Sequence, residues 1–186
     1  MATMISSGTD VISFLVEQHE EIKALFNLVA SSEGEEKREA FTSLRRLLAV
    51  HETAEEEIVH PAARRVLPNG NSLIDARLME ENEAKKILAK LEDLDIDSPE
   101  FDTSFDLLQR GVLVHAQAEE REEFVQLAAA LDQGQLDRMR RAAELAEKIA
   151  PTRPHPGVES AAANMLAGPF ASMIDRARDA LSGKSH

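Results

Sequence analysis

The chain has 186 residues, 43% of them hydrophobic, which suits one domain with a core, or one domain with an extension. Its formal net charge of −13 argues against a nucleic-acid-binding protein, which needs a basic face, and against binding to an anionic membrane surface. It contains no Cys, which excludes disulfides, thiolate ligands and redox thiols, and no Tyr, which excludes a tyrosinate ligand.

Ala, Leu and Glu are abundant, and alternating runs of Val, Ile and Thr are missing, so an all-α fold is expected. The polar start of the chain, residues 1–9, carries no signal-peptide pattern, and no stretch is long enough to span a bilayer. We therefore expect a cytoplasmic protein.

The first predicted helix begins near Thr9 or Asp10, either of which can cap it, and ends within residues 31–34. Its inward stripe contains His19, flanked at helical spacing by apolar side chains. A histidine in such a stripe is more often a hydrogen-bonded core residue than a ligand. His19 becomes a candidate ligand because of two patterns further along the chain.

The second predicted helix spans about residues 35–66 and carries His51 and Glu55 on one face, one turn apart. A buried carboxylate is costly unless a cation or a metal pairs with it, so this pair is a candidate set of metal ligands. Pro61 should kink this helix or end its regular part. His60 follows Glu56 by four residues on a face rotated away from the pair. We expect a surface or secondary contact there, with metal ligation as the less favoured alternative.

The third predicted helix, about residues 72–94, places an acidic residue, Glu81, where the apolar spacing points inward. The alternative is that Glu80, Glu81 and Glu83 form a solvated acidic face.

The fourth predicted helix begins at Ser98, with Pro99 in its first position, and breaks near residues 132–134. It repeats the earlier pattern, with His115 and Glu119 four residues apart and a second Glu directly after. In each repeat this second Glu is either a partner for a histidine or a surface group.

These helices predict an up-down-up-down four-helix bundle over residues 10–131, with a C-terminal helical extension over residues 132–186. The extension comprises a charged helix at 135–149, a Pro-rich connector and an amphipathic helix at about 158–181. Its apolar stripe should pack on the bundle or on a partner, for example in a homo-oligomer.

Inward residues of adjacent helices can converge on one layer of such a bundle. The predicted metal ligands are His19, His51, Glu55, Glu81, His115 and Glu119. Six ligands exceed the needs of one tetrahedral structural zinc, and nitrogen with carboxylate oxygen suits two ions of iron or manganese. Zinc remains an alternative.

Three segments carry a family resemblance: Gln18-His19-Glu20-Glu21-Ile22, His51 through Glu55-Glu56, and His115 through Glu119-Glu120. With them, residues 10–131 resemble the hemerythrin-like proteins of the HHE cation-binding group. The resemblance implies a non-haem di-iron centre, two iron ions that an oxo or hydroxo group can bridge. It also implies a small-molecule partner, namely O2, peroxide or NO.

The chain departs from the family pattern on the third helix, where the family has a histidine. The downstream apolar register puts Glu81 at that position, and a slip of one residue would put Asn82 there. If Glu81 coordinates, the additional anionic oxygen stabilises the ferric state. Oxidative, peroxide or NO chemistry is then favoured over reversible O2 carriage.

Three functions compete. The first is a di-iron protein that either binds O2, peroxide or NO or, as an enzyme, reacts with one of them. The second is a module that senses iron or oxygen, or sequesters iron, and acts through its C-terminal helices. The third is a purely structural bundle, which has to explain inward carboxylates with too few inward Lys or Arg to neutralise them.

Overall fold

A computed structural model describes residues 9–149, with side chains to Lys148, and its regular structure in this range is entirely helical. This confirms the all-α expectation. The helices are α1 (Val11–Ser31), α2 (Gly34–Ala54), α3 (His60–Val66), α4 (Gly70–Glu92), α5 (Pro99–Ala118), α6 (Phe124–Ala130) and α7 (Gln133–Ile149), with π turns at Glu55–Val59 and Glu119–Glu123.

Local sequence explains where the helices begin. The Asp10 carboxylate accepts a hydrogen bond from the Ser13 amide at 2.9 Å, and the Ser98 hydroxyl accepts one from the Phe101 amide at 3.2 Å. Both side chains satisfy amides that a helix start leaves unpaired. Gly34 opens α2 at φ 57°, a conformation that favours glycine and allows the tight turn from α1.

Two π turns interrupt otherwise continuous helices. The amide of His60 donates to the carbonyl of Glu55, and the amide of Phe124 donates to that of Glu119, each five residues back. Each turn thus accommodates one extra residue and shifts the following side chains around the helix. Pro61 follows the first turn, where the sequence predicted a departure from regular helix. The second turn has no proline and was not predicted.

The core consists of two apolar clusters. One includes Leu15 and Ile74, and the other includes Ile22 and Leu88. Along α1, His19 lies between Leu15 and Ile22, and the α4 residues between Ile74 and Leu88 include Glu81. A polar layer therefore separates the two apolar clusters.

Helix α7 packs against α1 and α2, and its apolar residues Leu136, Met139 and Ala143 join the first cluster. The predicted division into residues 10–131 and 132–186 stays a prediction. The connector, the helix expected at 158–181 and residues 1–8 lie outside the described residues. Within the described range, none of the helices is both long and apolar enough to cross a membrane.

Candidate metal centre

The six predicted ligands come together in the polar layer. Among the described residues they form two overlapping groups whose ligand atoms lie within 4.8 Å of one another: His19, His51, Glu55 and Glu119; and Glu55, Glu81, His115 and Glu119. Glu55 and Glu119 belong to both groups. His115 is half-buried, and the other five are buried. Each group has the donor atoms to hold a metal ion.

Each of the three histidines is oriented by a hydrogen bond from its Nδ1 atom, at 2.8 Å in every case. His19 donates to Glu120, His51 to the amide oxygen of Gln18, and His115 to Glu80. An imidazole that donates from Nδ1 keeps its lone pair on Nε2, which points toward the carboxylates. This is how proteins orient histidines that bind metals.

The two central carboxylates lack ordinary partners. All four carboxylate oxygens of Glu55 and Glu119 are buried and make no hydrogen bond among the described residues. Histidine Nε2 atoms lie 3.2 to 3.4 Å from three of these oxygens. Two ligands that bind one ion at about 2.1 Å, at a right angle, are about 3 Å apart. The donor set and its spacing therefore fit a cation.

The pKa shifts within the cluster indicate that it lacks a compensating positive charge. Burial, followed by the charge of Glu119, raises the pKa of Glu55 well above its usual range. Burial also raises the pKa of Glu119, but the neighbouring His115 outweighs it, and the net pKa is well below the usual range. Burial and His19 lower the pKa of His51. A bound cation would stabilise both carboxylates as anions and the neutral imidazoles.

His60 lies in the interior and contacts the candidate ligand Glu81, so the expected surface contact is wrong and the secondary contact of the same expectation is found. The π turn adds a residue between Glu55 and His60 and so rotates the imidazole inward, where its side chain is 3% exposed. Its Nε2 lies 2.8 Å from Glu81 and its Nδ1 3.4 Å from Glu123. Although burial lowers it, these carboxylates raise the pKa of His60 well above its usual range. Both ring nitrogens of His60 face carboxylates, and His60 belongs to neither group of candidate ligands but contacts one of their members, Glu81.

A buried lysine compensates part of the inward negative charge. Lys85 donates to Glu56 and lies 3.4 Å from Glu52 and 3.8 Å from Glu81. Burial, opposed by Lys85, raises the pKa of Glu52 to about 8 and that of Glu56 to about 7. The sequence interpretation underestimated such inward cations, but Lys85 does not neutralise the unpartnered oxygens of Glu55 and Glu119.

The partners of the histidine Nδ1 atoms were only partly foreseen. The second Glu of each repeat was expected to be either a partner for a histidine or a surface group. Glu120 contacts His19, as the first of these alternatives predicts, whereas Glu56 accepts a hydrogen bond from Lys85. Gln18 was named only as part of a family segment and Glu80 only as part of a possible acidic face, and neither was predicted to contact a histidine. Their signal in the sequence is that each directly precedes a candidate ligand, Gln18 before His19 and Glu80 before Glu81.

A small cavity lies among the candidate ligands. It has a volume of about 30 Å³ and is lined by His19, His51, Glu55, Glu81 and His115 together with apolar residues such as Ile22, Leu48 and Val112. Because five of the six candidate ligands line it, this cavity is the space that a bound cation would occupy.

Fold and site together define an all-helical protein with a buried His/Glu cluster suited to metal cations. The sequence profile of the hemerythrin HHE cation binding domain matches residues 10–128. The chain belongs to this family, whose domain binds cations.

A solved structure has a similar fold: the hemerythrin HHE cation binding domain-containing protein of Mycobacterium kansasii. It superposes with a TM-score of 0.67 at 18% sequence identity, over 90% of this chain and 98% of that one. No curated protein matches the chain.

Proposed function

We propose that this protein holds a non-haem di-iron centre and binds or reacts with O2, peroxide or NO. The ligands are His19, His51, Glu55, Glu81, His115 and Glu119, carried by an up-down-up-down arrangement of α1, α2–α3, α4 and α5–α6. We place the protein in the cytoplasm. The observation that carries the proposal is the set of four buried, unpartnered carboxylate oxygens of Glu55 and Glu119, faced by imidazole Nε2 atoms.

The donor set favours iron. Imidazole nitrogen suits iron, zinc and copper, carboxylate oxygen suits manganese and magnesium, and a mixed set without sulfur suits iron or manganese. Bound iron would supply a redox centre and a Lewis acid for the small molecule. Three carboxylates in the set favour the ferric state, so oxidative, peroxide or NO chemistry is preferred to reversible O2 carriage.

The surrounding side chains prepare the site for a small molecule. The apolar clusters on the two sides of the polar layer keep bulk water away from it. Protonated His60 and Lys85 lie on the Glu81 side, so they hold this carboxylate and offset its charge.

Metal content tests the proposal. Protein expressed with added iron should contain about two irons per chain and show the near-ultraviolet absorption of a bridged ferric pair. Addition of peroxide or NO should change this spectrum. One zinc per chain, or no metal, would refute the di-iron centre, and a stable, reversible oxy spectrum would refute the preference against O2 carriage.

A second candidate function, iron or oxygen sensing, is favoured by a chain of hydrogen bonds. His51 donates to Gln18, and Gln18 donates to Glu147 of α7 at 2.6 Å. The state of a ligand is thus linked to the helix that precedes the C-terminal segment. Sensing predicts that iron loading changes hydrogen exchange in α7, and identical exchange with and without iron would contradict it.

A further inference from the structure

The cavity among the candidate ligands adjoins a groove on the outside of the protein. The groove lies between α4 and α5, has a volume of about 430 Å³, and is largely apolar, with Ile87, Leu107 and Val114 in its lining. Cavity and groove share four lining residues: Glu80, Ala84, Gly111 and His115. The site and the solvent are therefore separated by the thickness of one layer of side chains.

Two of these shared residues are fixed, and two are small. Glu80 accepts hydrogen bonds from Arg77 at 2.7 Å and from His115 at 2.8 Å, which closes that side of the layer. Ala84 and Gly111 offer one methyl group and no side chain, respectively. The layer is thus thinnest where Ala84 of α4 faces the same cavity as Gly111 of α5.

Nothing in the packing of α5 requires a glycine at position 111. Gly111 lies inside the helix and, unlike Gly34, does not have a positive φ. A Cβ atom placed on it would meet nothing within 4 Å. An exposed glycine inside a helix costs roughly 0.5–1 kcal/mol relative to alanine. Gly111 therefore lowers the stability of α5, and what its missing side chain leaves is open space.

We propose that a small uncharged molecule reaches the metal centre between α4 and α5, through the opening that Ala84 and Gly111 leave. This route rests on the proposed function. The groove is largely apolar, which disfavours the entry of ions. A small uncharged molecule such as O2, NO or H2O2 does not meet this barrier.

Stopped-flow mixing of NO with the anaerobic, ferrous protein tests the route. Gly111→Phe fills the opening and should lower the association and dissociation rate constants together, by about tenfold or more, with the dissociation constant unchanged. Gly111→Ala and Gly111→Val should give intermediate rates in order of size. Ala84→Leu narrows the opening from the opposite helix and should act in the same direction.

Gly134→Leu is the control, because Gly134 is an exposed glycine of α7 away from this groove, and it should react at the native rates. Iron content and the spectrum before mixing should be native in all variants. If Gly111→Phe contains its full iron and still reacts with NO at the native rates, the route is wrong and the proposed function is unaffected. A native chain that takes up no iron would overturn the proposed function, and the route with it.

A second measurement does not depend on the reactivity of iron. In the diamagnetic zinc-loaded protein, dissolved O2 should relax the methyl protons of Ile22 and Leu48, which line the cavity, faster than those of equally buried Ile74 and Leu127. Gly111→Phe should remove the difference. Equal relaxation of the two pairs in the native protein would also overturn the route.

Discussion

Glu55 and Glu119 are the first residues of the two π turns, and they place carboxylate oxygens within 4.8 Å of each other in the protein interior. Each also lies four residues after a histidine on the same helix. In the absence of a cation, two buried carboxylates this close repel each other, and burial with the charge of Glu119 raises the pKa of Glu55. A bound cation would attract both carboxylates, so their short separation would then stabilise the site.

The first prediction is that Glu55→Gln has opposite effects on the metal-free and the iron-loaded protein. It should stabilise the metal-free protein by about 1 kcal/mol at pH 7, because Gln avoids the cost of protonating the Glu55 carboxylate on folding. It should also lower the iron content, because both ligand groups lose a shared carboxylate. Urea unfolding and metal analysis measure the two effects. Glu39→Gln, at an exposed position of α2, should change neither, and a metal-free Glu55→Gln protein less stable than the native one would contradict the prediction.

The second prediction concerns Glu81, which we expect at the position of the family's third-helix histidine. Glu81→Ala should reduce iron from about two to about one per chain, because it removes a ligand from only one of the two groups. Glu81→His should restore the second iron. Metal analysis measures both. Glu83→Ala is the control, because Glu83 is exposed and lies two residues further along α4, and it should keep the native iron content. An unchanged iron content in Glu81→Ala would exclude Glu81 as a ligand.

The third prediction concerns the buried contact of His60 with Glu81 and Glu123. His60→Phe should destabilise the protein by about 3 kcal/mol, because two buried carboxylates lose their partner. In the second repeat, Phe124 and Glu123 correspond to His60 and Val59 of the first. Glu123→Val combined with His60→Phe should therefore recover part of the loss. A double-mutant cycle by urea unfolding measures the coupling, and additive effects would contradict it.

The fourth prediction is a pH dependence at α7. Burial raises the pKa of Glu147 above its ordinary value of 4.5, although the hydrogen bond from Gln18 lowers it. Because the folded pKa exceeds the unfolded one, stability falls as the pH rises from about 4.5 to the folded pKa, and the loss stays constant at higher pH. Glu147→Gln keeps an acceptor for Gln18 and removes the charge. It should be more stable than the native protein at pH 7 and equal to it at pH 4, as measured by thermal unfolding. A larger gain in stability at pH 4 than at pH 7 would contradict the prediction.

The sequence by itself determined the helices and the candidate ligands. Helical periodicity placed His19, Glu81 and the two His–Glu pairs on inward faces, since a four-residue step returns to the same side of an α-helix. Asp10 and Ser98 marked helix starts through local hydrogen bonds, which depend on residues three positions away. All these features are set within one or two turns of a helix, and the structure brings the six candidate residues together.

The tertiary structure alone decided the environment of these residues. The π turn at Glu55 moved His60 inward, and no periodic pattern reveals an inserted residue. The donors and acceptors around the histidines, such as Gln18 for His51 and Glu80 for His115, belong to other helices. The opening beside Gly111 likewise exists only where α4 meets α5. Contacts of this kind depend on how the helices pack against one another, which the spacing of residues along one helix does not specify.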